Sequence, residues 1–208
     1  MAKDSIYGDW KEILPMVQKD IISRIEEYRE EEKNLTGIKV YEHFESRIKA
    51  EDSMREKCDR KKLPQTAHSA LKELKDSIGV RIVCDFIDDV YRNIAYIEKM
   101  EGVSIVERKD YIHHAKENGY RSYHMILDVE YPIEDVDGND PGHYYVEVQI
   151  RTIAMDTWAS LEHEMKYKKT IRDQKLIEME LKRVADELAS CDVSMQTIRE
   201  LIRENSEG

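Results

Sequence analysis

The stretch His143-Tyr144-Tyr145-Val146-Glu147-Val148-Gln149-Ile150-Arg151 alternates side chains of two kinds without a break. Successive side chains of a strand leave on opposite faces. Residues 143–151 are therefore expected to form a strand with Tyr144, Val146, Val148 and Ile150 inward. Its other face then carries Tyr145, Glu147, Gln149 and Arg151 in line. On an edge strand such a row is an ordinary solvent face. On a central strand it is costly unless something polar binds there.

Working outward, the turn Asp137-Gly138-Asn139-Asp140-Pro141-Gly142 introduces this strand. Residues 121–131 predict another, with Tyr123, Met125, Leu127 and Val129 on one side. A strand over 103–109 precedes them, followed by an irregular loop reaching Gly119. Further upstream Val80, Ile82, Cys84 and Phe86 would face a core, with Arg81, Val83 and Asp85 opposite. A helix at about 88–100, ended by Gly102, returns the chain. The N-terminal part reads as an amphipathic helix over 9–33, with Trp10, Ile13, Leu14, Val17, Ile21, Ile25 and Tyr28 on one face. Asp9 would cap it and Asn34-Leu35-Thr36-Gly37 would stop it. A strand within 38–49 and two short helices, 51–62 and 66–75, complete that half, with Pro64 between the helices.

From 152 onward the pattern is helical, with a break near Asp173. Ile177, Leu181, Val184, Leu188, Cys191, Met195, Ile198 and Ile202 follow in alternating steps of four and three. That is a heptad seam about 25 residues long, or roughly 38 Å of helix. Its narrowness and charged flanks predict self-association, against the plainer reading of a helix packed on its own domain. The expected division is residues 1–168 as the main domain and 169–208 as an oligomerisation helix.

Composition narrows the function classes. Charged residues make up 37% of the 208-residue chain and no apolar run nears the length of a membrane span, so a soluble protein with no membrane partner is expected. Cys58, Cys84 and Cys191 are odd in number and lack CxxC spacing, which argues against a disulfide framework or zinc site and fits the cytoplasm. A net charge of −11 disfavours a protein built to wrap nucleic acid, so RNA binding is not indicated. The charge is uneven, however: residues 26–32 (EEYREEE) are acidic, whereas residues 47–62 carry seven Lys or Arg against four acids. A local basic patch on an acidic protein suits a small polyphosphate.

Four sets of residues carry candidate chemistry. Arg47, Lys49, Ser53, Arg55 and Lys57 run from a strand into a helix, where Ser53 and Lys57 share a face near the N-terminal half and the backbone also favours anions. Asp76-Ser77-Ile78-Gly79-Val80-Arg81 places a carboxylate just before a strand, a glycine permitting close approach, and an arginine able to stack on a base. Glu147, Gln149 and Arg151 form the third set; Asp76 and Glu147 on adjacent strands would make a sparse Mg²⁺ site of the kind used with substrate phosphates. In the fourth, Lys116 and its loop could bind phosphate, Tyr120 could stack on a base, and His124 could offer a hydrogen bond.

As a set these residues resemble the RelA/SpoT nucleotide pyrophosphokinases, and in particular the single-domain small alarmone synthetases. The resemblance rests on RIKAEDSMREK, the D-x-x-G-x-R of DSIGVR, GYRSYH and EVQIRTIAMDTWASLEHEMKYK, between about residues 39 and 168. It implies an α+β fold, a mixed β-sheet flanked by helices and related to nucleotidyltransferases, with a C-terminal helical pair used for tetramer formation. It implies transfer of pyrophosphate from ATP to the 3′-hydroxyl of GDP or GTP, with GMP as a further acceptor. Arg47 and Arg81 would sandwich the adenine, and Lys49, Ser53 and Lys57 would hold the ATP phosphates. Asp76 and Glu147 would ligate Mg²⁺, with Glu147 also the base for the 3′-hydroxyl. Tyr120 would stack on guanine, Lys116 would bind the acceptor phosphates, and His124 and Gln149 would line the site. Two departures stand out: Ala115 where the family usually has Pro, and Asp156 where Asn is common. No His-Asp dipeptide occurs, so the hydrolase half of the long relatives is not expected. The competing readings are pyrophosphate transfer to a tRNA 3′ end and a non-catalytic oligomeric nucleotide or RNA sensor.

Overall fold

The computed structural model describes residues 4–167 and 173–206. Five strands form one mixed sheet: β1 (His43–Ile48), β2 (Ile78–Cys84), β3 (Val103–Asp110), β4 (Tyr123–Tyr131) and β5 (Gly142–Thr152), in the spatial order β1-β2-β5-β4-β3. β2 and β5 run parallel and every other pairing is antiparallel. The helices are α1 (Leu14–Thr36), α2 (Glu51–Lys61), α3 (Ile87–Ile97), α4 (Ile153–Tyr167) and α5 (Gln174–Ser206). The expected α+β class with a mixed, helix-flanked sheet is what the chain adopts. The boundary expected at 168/169 falls outside the described residues. Among those residues no helix is long and apolar enough to cross a membrane.

β5 sits at the centre of the sheet, which excludes the edge-strand reading of its polar row. Its inward residues behave as the alternation requires: Tyr144, Val146, Val148 and Ile150 are buried, as are Tyr123, Met125, Leu127 and Val129 of β4. Full burial of each such aliphatic side chain contributes roughly 1.5–3 kcal/mol. Against this face pack Val17, Ile21 and Ile25 of α1, Met54 and Cys58 of α2, and Val90 and Ile94 of α3. The opposite face of the sheet is left for polar work.

Several boundaries differ from the sequence reading. A 3₁₀ turn, Gly8–Glu12, precedes α1, which begins after Ile13 without a side-chain cap, so Asp9 does not cap it. Pro15 explains the shift, since it has no N–H to give and its ring would clash with the carbonyl one turn back. Gly37 ends α1 in the left-handed conformation (φ +70°), its N–H reaching Lys33 O at 3.0 Å. β1 starts at His43 instead of 38, its register with β2 running no further than His43↔Val83. The helix expected over 66–75 shrinks to a π-helical turn, Ser69–Glu73, followed by extended backbone at Leu74 that delivers Asp76 to the sheet. β2 runs two residues earlier than expected and Phe86 lies beyond it, at the start of α3. Val83 does lie on the polar face, yet it is buried.

The heptad seam of α5 divides. Leu181, Val184 and Leu188 are half-buried against the chain's own fold, whereas Cys191, Met195 and Ile198 are exposed. A different stripe of α5 is bolted down: Ala185 and Asp192 are buried, Gln196 bonds Asp88 at 2.6 Å, and Arg199 pairs with buried Asp89 at 2.7 Å.

Candidate active site

The strand registers bring the candidate residues onto one face. Arg47 of β1 lies opposite Gly79 of β2, which lies opposite Glu147 of β5. One step along, Glu45, Arg81 and Gln149 align, and Gln149 in turn faces His124 of β4. A cleft of about 390 Å³ opens over this surface, lined by Glu45, Ser46, Arg47, Gly79, Val80, Arg81, Glu147 and Gln149. Gly79 contributes no side chain, so the floor stays open between Arg47 and Glu147.

Where β1 ends and β2 begins, beside the cleft, two ammonium groups close on one carboxylate. Lys49, just past β1, and Lys57, two turns into α2, both donate to Asp76 Oδ2, the latter at 2.5 Å. Burial pushes the Asp76 carboxyl up, but the two lysines override it and hold it below its ordinary value of 3.8. Its other oxygen, Oδ1, is buried with no hydrogen-bond partner. Lys49 is itself fixed through its backbone: its N–H donates to Ser77 O at 2.9 Å, and the buried Tyr7 hydroxyl donates to its carbonyl at 2.6 Å. Ser53 stands exposed on the first turn of α2. Arg55 turns away, bonding Gln65 and the backbone of Asp4, and plays no part in the cleft.

Glu147 is held differently. His124 Nδ1 lies 3.7 Å from one carboxylate oxygen, and Gln149 Nε2 donates to the other at 3.2 Å. The imidazole, against burial and the charge of Asp76, keeps the Glu147 carboxyl below its ordinary 4.5. Among the described residues no cluster of three or more His, Cys, Asp or Glu side chains could hold a metal. A hydrated Mg²⁺ bound with substrate phosphates needs only one or two carboxylates. Asp76, with its unpartnered buried oxygen, and Glu147 fit that sparse requirement.

Of the two arginines expected to hold the base, Arg81 pairs with Glu45 at 3.2 Å and lies 3.5 Å from Asp156. Arg47 stands exposed at the rim, offset from Arg81 by two positions.

On the β4 side of the same sheet face, beyond Gln149, the contacts centre on Tyr120. Its hydroxyl bonds His124 Nε2 at 2.8 Å and accepts from Arg151 Nη2 at 2.6 Å. Lys116 places its ammonium 4.6 Å from the Tyr120 ring centroid and 4.5 Å from that of Tyr111. The ring expected to be an open stacking platform thus carries a cation. Arg151 is the residue that sequence reasoning undervalues, since alternation marks it only as a member of the polar row. It is buried, and its donors are met by Tyr120, by Gln149 Oε1 at 2.8 Å, by Asp156 Oδ1 at 3.0 Å and by Ser122 Oγ at 3.3 Å. A signal for it exists: an arginine on a central strand is retained only with partners for its charge. Tyr111 and Trp158, whose ring meets Tyr120 edge-on at 6.3 Å, give no such signal.

Known proteins carry the same pattern. The family model described as a region found in RelA/SpoT proteins matches residues 46–172. The chain is 37% identical to GTP pyrophosphokinase YwaC of Bacillus subtilis over 94% of its own length and 92% of the relative's. It is 33% identical to GTP pyrophosphokinase YjbM of the same organism, over 86% and 85%. Its structure resembles small alarmone synthetase 1 from Bacillus subtilis bound to its product pppGpp, with a TM-score of 0.77 at 30% identity, covering 91% of this chain and 94% of that one.

Proposed function

We propose, from the premise that this chain belongs to the RelA/SpoT family, that its cleft moves a pyrophosphate group from ATP to the 3′-hydroxyl of GDP or GTP. The protein is a transferase, a pyrophosphokinase that makes (p)ppGpp. The observation that carries the residue-level reading is the Lys49–Asp76–Lys57 clamp set beside Glu147 on one sheet face.

Arg47 and Arg81 hold the adenine. Lys49, Ser53 and Lys57 take the ATP phosphates; each ammonium has donors beyond the one spent on Asp76. Asp76 and Glu147 are the residues that would hold Mg²⁺, which when bound neutralises charge on the transferred phosphates. Tyr120 stacks on the guanine, and Lys116 leaves the ring face to meet the acceptor's 5′-phosphates. His124 and Gln149 orient Glu147, whose carboxylate takes the proton of the 3′-hydroxyl. The new bond forms between the 3′-oxygen and the β-phosphorus, the bond from that phosphorus to the α-phosphate oxygen breaks, and AMP leaves. Positioning and charge neutralisation supply most of the rate in such transfers. Assembly, as a tetramer, uses the exposed apolar part of α5, where Val193, Met195, Ile198 and Leu201 meet solvent.

The test is incubation of the pure protein with Mg²⁺ and γ-labelled ATP, offering GMP, GDP, GTP, ADP or tRNA in separate reactions. Label is expected on GDP and GTP. Label on tRNA alone, or in no reaction, overturns the proposal.

A further inference from the structure

The loop that carries Lys116 and Tyr120 rests on α5. Gly119 has φ +91°, and a Cβ at that position would come within 2.5 Å of the Ala185 Cβ and 3.5 Å of the Lys182 Cα. The loop backbone and α5 therefore touch with no room for a side chain between them. Three further bonds tie the same stretch of α5 to the site. Trp158, edge-on to Tyr120, donates its indole N–H to Leu181 O at 2.7 Å. Arg121 pairs with Asp186 at 3.6 Å. Thr152, which follows Arg151 on β5, donates its hydroxyl to buried Asp192 at 2.6 Å. The bonds of Lys49, Lys57 and Asp76, by contrast, run among the end of β1, α2, the turn before β2 and Tyr7 of the N-terminal segment, and none reaches α5.

We infer that α5 is the seat of the acceptor loop: Ala185 sets where Gly119 lies, and so where the Tyr120 ring and Lys116 stand. The inference rests on the pyrophosphokinase reading of the cleft and adds that acceptor affinity is controlled from the C-terminal helix while donor affinity is not. Ala185 is in this sense a positioning residue, not a catalytic one. A larger side chain there must displace the loop, because the glycine has nothing left to give.

The experiment compares steady-state KM values for GDP and ATP in the full chain and in Ala185→Leu. Overpacking of this kind is expected to raise KM for GDP at least about tenfold, with KM for ATP within about twofold. Ser190→Ala, on a solvent-exposed position of the same helix, should move neither. Should Ala185→Leu lose its circular-dichroism signature, Ala185→Val, with less added bulk, must show the same split. A folded variant in which both KM values rise together, or neither rises, overturns the inference. Calorimetric GDP binding separates the two proposals. Wild-type protein that binds GDP without transferring pyrophosphate defeats the pyrophosphokinase reading, and a selective loss of GDP binding in Ala185→Leu still supports the seat.

Discussion

On the side of the cleft proposed for the donor, Lys49 and Lys57 converge on Asp76 from segments no more than 27 positions away. On the acceptor side, Tyr120 is held by Arg151, 31 positions on, and the loop before it leans on Ala185, much further along the chain. The first half is an ionic clamp in a partly buried setting, where ammonium and carboxylate fix one another's position. The second is a network of ring contacts and hydrogen bonds in which a lysine occupies the ring face proposed for the guanine. On the proposed assignment the first half is preorganised, and the second has to rearrange.

The largest effect should come from the two carboxylates, Asp76 within the clamp and Glu147 beside His124. Asp76→Ala and Glu147→Gln are each expected to lower turnover by at least about 100-fold, the scale of losing one transition-state stabiliser. Measured with GDP and with GTP, the loss should be the same for both acceptors, because neither carboxylate reads the base. Near-normal (p)ppGpp synthesis in either variant would break the assignment.

The same division governs what is legible in the sequence. The half proposed for the donor is readable in its placement because its residues are compressed into local motifs: the spacing of Lys49, Ser53 and Lys57, then Asp76, Gly79 and Arg81. Strict alternation in β5 is enough by itself to put Glu147 and Gln149 on a common face. Arg55 misleads, since helical spacing alone does not show that its guanidinium is drawn to the N-terminal segment. Arg151 is undervalued because its worth comes from Tyr120, Asp156 and Ser122, which only tertiary packing brings to it. The seam of α5 shows its periodicity in the sequence but not its partition, for a heptad pattern does not reveal which stripe the home domain has already claimed.

The next effect falls on the acceptor half alone. Tyr120→Ala removes the ring, and stacking of a base on an aromatic side chain is worth roughly 1–3 kcal/mol. Arg151→Met removes one of the two groups that orient that ring, leaving the Tyr120 hydroxyl to His124 and Asp156 to Arg81, with charged hydrogen bonds worth about 1.5–3 kcal/mol. Each variant should raise KM for GDP well above its effect on KM for ATP. Since both act through one ring, the double variant should cost less than the sum of the two. Additive losses would show that Arg151 serves the acceptor by some route other than Tyr120.

The smallest effect concerns acid stability, and it separates the halves by charge. The Asp76 carboxyl is raised by burial but held below its ordinary 3.8 by Lys49 and Lys57. A group whose folded value lies below its unfolded one stabilises the native state fully above the unfolded value. That stabilisation is lost as pH falls through the lowered folded value. Lys49→Met removes one of the two cations, so the folded value of Asp76 rises and the loss begins at higher pH. The acid-unfolding midpoint, followed by circular dichroism, should therefore move upward in pH. Lys116→Met is the counterpart on the acceptor side. Its ammonium lies on the rings of Tyr111 and Tyr120 and pairs with neither Asp76 nor Glu147, so its removal should leave the midpoint in place. An equal shift in both variants would mean that the two regions share one electrostatic unit, and that the contrast between an ionic donor clamp and an aromatic acceptor network is false.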